Sequence, residues 1–581
     1  MIAYDFETTR IEKGTPRPLY ITAYGEAPEF ALEMPIRDMQ HLHDLIDQQF
    51  LIPEFDQIKF VAWYGNGFDC YFVAAALILD PKYTIRPYLT RSNSLRGMRV
   101  MLTEFMLDDG EYLRGAPSWE FLDGQAMLGL VGVKLSKFLD NFAPSHKKLE
   151  GVIDFEKETF NAKKPRHREY AMRDSVGLWK AMHKAQAILI ARFNQPLAVT
   201  MGGACIRIFQ ANIPRGTCIY TPSLELEDII RDYAMRGGFC YCVKRYEGLV
   251  WKYDLNQAYA AAMREAQLPA GYGIHNATGQ VEPGRVYIAR VRGAHSSNKI
   301  PFYYRTILGA RVKALFGITE IFDTWITSIE IDQLRAEGWA LHISEAWSFS
   351  ETFTMQEYVD KLEVLRTTCE GSPSGPIGTM AKMVGNHSYG KTVEQLEPIN
   401  YLLAAETPEG YAPFYGDDSD PLENIYFRFI EEDKIRPKAY HQPQIGAFIT
   451  AHVRMVVRRA ALLRPDDWLY ADTDCVVFSS DITALLDTDA KRYGAWKVEE
   501  QGAHYQIIAK KVYANVDKGE GHAKGLNVKR LTPKDFDDWF HGDAPVQEQT
   551  QRNNFMQVMR GVDMYRTQVR SGTRVEREID T

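Results

Sequence analysis

The string Tyr470-Ala471-Asp472-Thr473-Asp474-Cys475 narrows the identity of this chain more than any other stretch. It sets two carboxylates two residues apart and runs straight into the apolar Val476-Val477-Phe478, which predicts a strand or tight hairpin against a core. Like charges held that close cost folding free energy unless a cation offsets them. A solvated turn is the plain alternative, and a second, separate carboxylate weighs against it. In Tyr253-Asp254-Leu255-Asn256-Gln257-Ala258-Tyr259 an aromatic-rich strand ends on a single Asp, with a Tyr five residues on. Phosphoryl transfer by two Mg²⁺ ions needs one or two carboxylates per ion plus substrate phosphates, gathered from separate segments. Asp254, Asp472 and Asp474 would supply that set.

Two further groups of residues extend the pattern. In Lys382-Met383-Val384-Gly385-Asn386-His387-Ser388-Tyr389-Gly390, the Lys, Asn and Tyr fall at i, i+4 and i+7, one face of a helix that Gly390 would end. A cation, an amide and an aromatic on one face suit a triphosphate, a sugar edge and a base; a solvated polar face is the bland reading. At the start of the chain, Ile2, Tyr4 and Phe6 alternate with Ala3, Asp5 and Glu7, a strand that points both carboxylates to one side. Asp-x-Glu alone says little. Asn66-Gly67-Phe68-Asp69 and Tyr170-x-x-x-Asp174 add carboxylates and an aromatic hydroxyl in order along the chain, suited to orienting an attacking water on a metal.

The rest of the chain is compatible with a large multidomain enzyme. Of 581 residues, 45% are hydrophobic and 25% charged, which excludes disorder and fibrous structure. No basic segment opens the sequence and the longest apolar run, Cys70 to Leu79, is too short to cross a bilayer, so a soluble, unexported protein is expected. The seven cysteines include no CxxC pair, which argues against a disulfide framework or zinc site. A net charge of -8 does not exclude a polyanion partner, because basic residues can be confined to one channel. Strands are predicted at Leu19 to Tyr24, Lys59 to Tyr64, Leu249 to Leu255 and Trp468 to Phe478. Helices are predicted from Pro165 to about Phe193, from Met355 to Thr368, from Pro376 and from Thr532-Pro533. A polar, acidic insertion covers Glu406 to Glu423, and a hairpin is expected over Tyr565 to Glu578 around Ser571-Gly572.

Together these strings resemble the family B DNA polymerases, above all the protein-primed φ29-type enzymes of phages and linear plasmids. Asp5/Glu7, Asp69 and Tyr170/Asp174 are similar to the three exonuclease motifs, Asp254 to Tyr259 to motif A, Lys382 to Gly390 to motif B, and Tyr470 to Cys475 to motif C. Lys511-Val512-Tyr513 resembles the K-x-Y motif that grips a primer end. The resemblance implies an α/β, RNase H-like exonuclease domain (1–190) followed by an α+β polymerase domain. The latter would comprise palm (191–265 and 441–526), fingers (349–391) and thumb (527–581), with insertions at 266–348, toward a terminal protein, and 392–440, for processivity and strand displacement. It further implies two Mg²⁺ or Mn²⁺ ions per active site. Asp254, the Leu255 carbonyl and Asp474 would hold one pair, with Asp472 supporting; Asp5, Glu7, Asp69 and Asp174 would hold the other, beside Tyr170 and Lys147 or Lys148, with Lys148 favoured. Nucleotide contacts would come from Tyr259, Arg366, Lys382, Asn386 and Tyr389. DNA contacts would come from Asn66, Arg236, Gly237, Gly238, Lys511, Tyr513 and Lys524, and a basic path from Arg454, Arg458, Arg459 and Arg464.

The partners implied are template-primer DNA, dNTPs and a terminal protein, for a monomer working in the cytoplasm of a bacterial host. Departures from the family pattern are specific. Gln257, Ala258 and Ala260 replace the Ser, Leu and Pro of motif A, Cys475 stands where Ser is usual, and Met235 replaces the Tyr of the Y-x-G-G linker. Two other readings stay open: a primer-independent or conventionally primed relative, and a DNA-binding scaffold whose catalytic sites have decayed.

Overall fold

The computed structural model describes residues 1–10, 14–90, 93–107, 112–154, 158–243, 245–295, 300, 302–305, 314–317, 322–369, 371, 373–394, 401–404, 412–413, 426–427, 440–559 and 561–572. Two sheets organise it. The first has ten strands, with a parallel centre: Ile2–Thr8 pairs with Lys59–Ala62, which pairs with Ser118–Asp123. Antiparallel strands Pro18–Glu26 and Glu29–Pro35 extend one side; Leu95–Leu102 and Tyr83–Leu89 extend the other. The helix Pro165–Phe193 starts with Pro at its first position and stops at Asn194, whose φ of 53° is left-handed. It packs on the strands carrying Asp5 and Thr22, with Ser175 Oγ 2.8 Å from Thr22 Oγ1.

The second sheet is antiparallel and seven-stranded, in the order Glu520–Ala523, Val512–Asn515, Trp496–Ala509, Tyr246–Leu255, Cys475–Phe478, Trp468–Thr473, Phe239–Cys242. The almost wholly buried helix Pro443–Leu463 packs against it, and the helices Ala258–Glu265, Gln356–Thr368 and Pro376–His387 pack on one another beside it. Between Leu268 and Phe353 lies a four-stranded antiparallel sheet with the helix Ser328–Ala336. One apolar core, including Leu178, Phe239, Leu255, Val384 and Val453, runs from the first sheet's helix into the second sheet. Among the described residues no helix is long and apolar enough to cross a membrane.

These mixed α/β units accord with the expected fold class, and several local expectations need correction. Trp468 to Phe478 is two strands, because Thr473 adopts φ +63° and turns the chain back at Asp474. The Pro376 helix ends at His387, and Gly390 instead opens a short 3₁₀ turn. The strand at Lys59 stops at Ala62. Tyr565–Ser571 is a strand paired with Val546–Arg552, and the second arm of the hairpin expected around Ser571-Gly572, to Glu578, lies outside the described residues. Thr532 does cap a helix from Pro533, its hydroxyl accepting from Asp535 N. Most of the Glu406 to Glu423 insertion, Asp417, Asp418 and Asp420 included, also lies outside the described residues.

Candidate active sites

Sheet register builds the first site. Asp254 is the penultimate residue of its strand and sits beside Cys475, so Asp254 and Asp474 end neighbouring strands; Leu255 N donates to Asp474 O at 2.8 Å. Leu255 buries its side chain and brings only backbone to this point. Burial, then Asp474 and Glu499, push the Asp254 carboxyl up to about 7. Burial also raises Asp474. Asp472 is held differently, with Lys511 Nζ 2.8 Å from each of its carboxylate oxygens. Lys511 is itself at φ +62°, and its N–H donates to the Tyr470 hydroxyl at 3.2 Å.

Across from the carboxylates stand the helix residues. Lys382 is half-buried, and its ammonium is pushed down by burial and by Arg366 while Asp254 and Asp474 pull it up, so all four charges share one electrostatic neighbourhood. Asn386 lies one turn further along. Tyr389, past the helix end, stacks on Tyr259 with ring centroids 4.6 Å apart and planes at 30°. Arg366 is in the last turn of Gln356–Thr368. Tyr513 meets Tyr470 edge-on at 5.8 Å, and Lys524 is exposed beyond it.

In the second site, Asp5 is half-buried and Glu7 buried on one strand, and Phe6 N donates to Asp69 Oδ1 at 3.2 Å. Asp174 comes from the Pro165–Phe193 helix, one turn after Tyr170; Lys148 pairs with its Oδ2 and lies 4.7 Å over the Tyr170 ring. Lys147 faces away, 3.1 Å from Asp140. Burial pushes Asp69 up to about 8 and Glu7 up to about 7. Burial, then Asp69, Glu7 and Asp174, raise Asp5 well above the usual range. Asp174 Oδ1 and Asn66 Oδ1 are buried without a hydrogen-bond partner.

Both sites have the charge of a cation site. One opposes four carboxylates with a single lysine, and the other leaves Asp254 and Asp474 repelling one another. Among the described residues no three His, Cys, Asp or Glu side chains already close on one point as a finished cage, so incoming phosphates would have to complete the ligand set.

Two carboxylates here had no signal in the sequence. Glu499 sits at a strand bulge, 2.8 Å from Lys252 Nζ, within electrostatic reach of Asp254 and Asp474. Asp123 ends a central strand, accepts from Asn66 N at 2.9 Å and caps the helix Gly124–Leu128. Three expected DNA contacts are corrected. Arg236 is fully buried and ion-paired to Glu330, Arg454 pairs with the same carboxylate at 3.0 Å, and Arg458 makes a two-pronged pair with Glu337. Gly238 lies against Thr473 of the Asp472–Asp474 hairpin and Gly237 O accepts from Arg454, while Arg459 and Arg464 are exposed.

The chain matches the family model for organellar and viral type B DNA polymerases over residues 146–420. It is 26% identical over 394 residues to the DNA-directed DNA polymerase of Enterobacteria phage PRD1, covering 65% of this chain and 66% of that one. It is 24% identical over 368 residues to a probable DNA polymerase of Ascobolus immersus, covering 60% of this chain and 29% of that one. The chain thus spans less than two thirds of these relatives' own lengths. Against the structure of Phi29 DNA polymerase complexed with primer-template DNA and incoming nucleotides, the TM-score is 0.74 at 18% identity, covering 99% of both chains. These findings bear out the resemblance to the phage-type family B polymerases and the fold class that it implied.

Proposed function

We propose that this chain is a DNA-directed DNA polymerase of the phage and viral type B family with its own 3′-5′ proofreading exonuclease. It copies a phage or linear-plasmid genome from a protein primer, processively and while displacing strands. The observation that carries the reading is the pairing that sets Asp254 and Asp474 on adjacent strand ends, with Lys382 and the Tyr259/Tyr389 stack beside them. Asp254, the Leu255 carbonyl and Asp474 would hold two Mg²⁺ or Mn²⁺ ions, which when bound lower the pKa of the primer 3′-hydroxyl and offset charge on the leaving pyrophosphate.

The chain's own groups do the positioning. Lys382 and Arg366 bind the triphosphate of the incoming dNTP, and Asn386 flanks it. Tyr259, its ring fixed by the stack on Tyr389, lies under the sugar and excludes a 2′-hydroxyl. Lys511 neutralises Asp472, which therefore supports the hairpin. Tyr513, Lys524, Gly237 and Gly238 line the primer-template path.

In the other site, Asp5, Glu7, Asp69 and Asp174 would hold a second pair of ions. Tyr170 orients the attacking water, Lys148 fixes Asp174, and Asn66 turns its unpartnered amide oxygen to a single-stranded 3′ end. In this reading residues 1–190 proofread, 191–265 and 441–526 form the palm, 349–391 the fingers and 527–581 the thumb. The 266–348 insertion meets the terminal protein and 392–440 encloses DNA, all in one monomer acting in a bacterial cytoplasm.

The test is incorporation of dNTPs on a primed template with Mg²⁺. Wild-type chain should extend, and Asp254→Asn or Asp474→Asn should lose roughly a thousandfold or more in kcat. Undiminished extension by either variant would overturn the reading. Transfer of one labelled dNTP to a candidate terminal protein tests protein priming separately.

A further inference from the structure

Away from both carboxylate clusters, three charged side chains form a buried triad. Glu330, in the first turn of Ser328–Ala336, is fully buried and accepts from Thr327 N and Thr327 Oγ1, each at 3.1 Å. The same carboxylate pairs with Arg236, just ahead of the strand Phe239–Cys242, and with Arg454 of the Pro443–Leu463 helix. Three segments distant in sequence therefore meet on one group. Arg454 also donates to the backbone carbonyls of Arg236 and Gly237.

The residue after Gly237 gives the triad its consequence. A Cβ at Gly238 would lie 2.6 Å from Thr473 Oγ1 and Cγ2, so the backbone there is in direct contact with the residue between Asp472 and Asp474. Thr473 is the strained, left-handed residue of that hairpin, and it pairs in register with Phe239. A buried Arg-Glu-Arg group is poor value as stabilisation, because an apolar replacement of equal volume does as well or better. Its directional bonds to a backbone segment are what an apolar core would lack.

We propose that Glu330 is a positioning residue for the polymerase site: through Arg236 and Arg454 it fixes the 236–238 backbone against which the Asp472–Asp474 hairpin is set. The inference rests on reading that hairpin as part of a polymerase centre. It makes the 266–348 insertion a working part of catalysis as well as a docking element.

The experiment uses the full chain and two assays, dNTP addition to a primed template and degradation of a single-stranded oligonucleotide, with melting monitored by circular dichroism. Glu330→Ala should lose roughly ten- to a hundredfold in kcat for addition, the scale of a small misplacement. KM for dNTP and the degradation rate should stay within about twofold. Glu330→Gln, which keeps the shape and one oxygen to accept from the arginines but loses acceptance at the other, should recover part of the loss. If Glu330→Ala fails to fold, Glu330→Leu with Arg236→Met and Arg454→Met supplies an apolar core; it should melt near wild type and still add nucleotides slowly.

A folded variant at wild-type kcat would overturn the proposal, and so would equal loss in both assays or failure of every variant to fold. If wild-type chain itself adds no dNTP, the polymerase reading falls first and the positioning role with it. That result is distinguishable because it precedes any substitution.

Discussion

Burial raises the proton affinity of Asp5, Glu7, Asp69 and Asp174, and neighbouring carboxylates raise Asp5, Glu7 and Asp69 further against Lys148 and the Phe6 N–H, so the cation-free fold carries a repulsion that ions would remove. Asp5→Asn should therefore raise the melting temperature of metal-free protein by about a degree or two. Mn²⁺ should stabilise wild type more than this variant. Asp5→Ala with Glu7→Ala should abolish single-strand degradation and leave primer extension largely intact, since the other pair of aspartates lies on a different sheet; equal loss of both activities would refute the two-site reading. Glu330 behaves in the opposite way. Burial works against its charge, yet Arg236 and Arg454 hold its carboxyl below the usual range. A depressed acid contributes stability that is present above its unfolded value and lost as pH falls through the folded one. The stability gap between wild type and Glu330→Gln should accordingly shrink as pH drops below about 4.5 in urea titrations. Tyr259 carries a third expectation. If its ring forms the floor under the sugar, Tyr259→Val should raise ribonucleotide over deoxyribonucleotide incorporation by about a hundredfold, read from the ratio of the two kcat/KM values; an unchanged ratio would remove it from the pocket.

At the scale of elements, the Asp472–Asp474 hairpin depends on a neighbour that has no side chain to clash with it. Gly238→Ala would drive a methyl into Thr473, so extension should fall roughly tenfold or more while single-strand degradation holds, as measured on the same preparation. Elements whose cause is local were legible in the sequence. Pro165 at the first helical position and apolar periodicity delimit the Pro165–Phe193 helix, and alternation marks Ile2–Thr8. Where the cause is tertiary, the reading failed. A strand or a tight hairpin both fitted the Asp472–Asp474 string, and Thr473 is β-branched, a residue type that favours extended backbone, so nothing announced its φ of +63° as the place where the chain turns. Arg454 and Arg458 read as a basic path, and Arg236 as a DNA contact of the linker motif, because sequence shows charge and hides its partners; Glu330 and Glu337 stand over 90 residues from any of them. Glu499 and Asp123 were invisible for the same reason. The carboxylates of the two candidate sites were legible as sets, because Asp472 and Asp474 stand paired beside an apolar strand while the others gain meaning only from their order along the chain.

Besides the apolar core that they share, the two sheets are joined by the chain between the Lys382 helix and the Pro443–Leu463 helix. From the 392–440 interval, Leu403–Ala404 pairs with Ile85 and Thr84, and Tyr426–Phe427 and then Ala412–Pro413 pair outside it, so the segment after the Lys382 helix supplies the outer strands on one side of the sheet that carries Asp5 and Glu7. Tyr440 then leads into the helix Pro443–Leu463 behind the second sheet. A segment anchored on one sheet and returning to the other has the connectivity needed to bridge the space between them, where a duplex leaving Asp254 and Asp474 would run. If it closes around DNA, replacing residues 405–439 with a flexible linker should leave addition of a few nucleotides to a primed single strand within about twofold, because no residue of the two carboxylate sites is touched. Keeping Leu403–Ala404 preserves its pairing with Thr84 and Ile85, but Tyr426–Phe427 and Ala412–Pro413, which pair outside it, go with the segment, so melting of the deleted chain against wild type separates loss of edge cover from loss of DNA enclosure. Products made in a single encounter, with heparin trapping released enzyme, should shorten by roughly tenfold or more, and synthesis should stop at a downstream duplex. A deleted chain that displaces strands over wild-type lengths would show that the segment plays no part in holding DNA, and any processivity would have to come from elsewhere, the next candidate being the pair Val546–Arg552 and Tyr565–Ser571, whose Arg552 lies over the Tyr64 and Tyr71 rings.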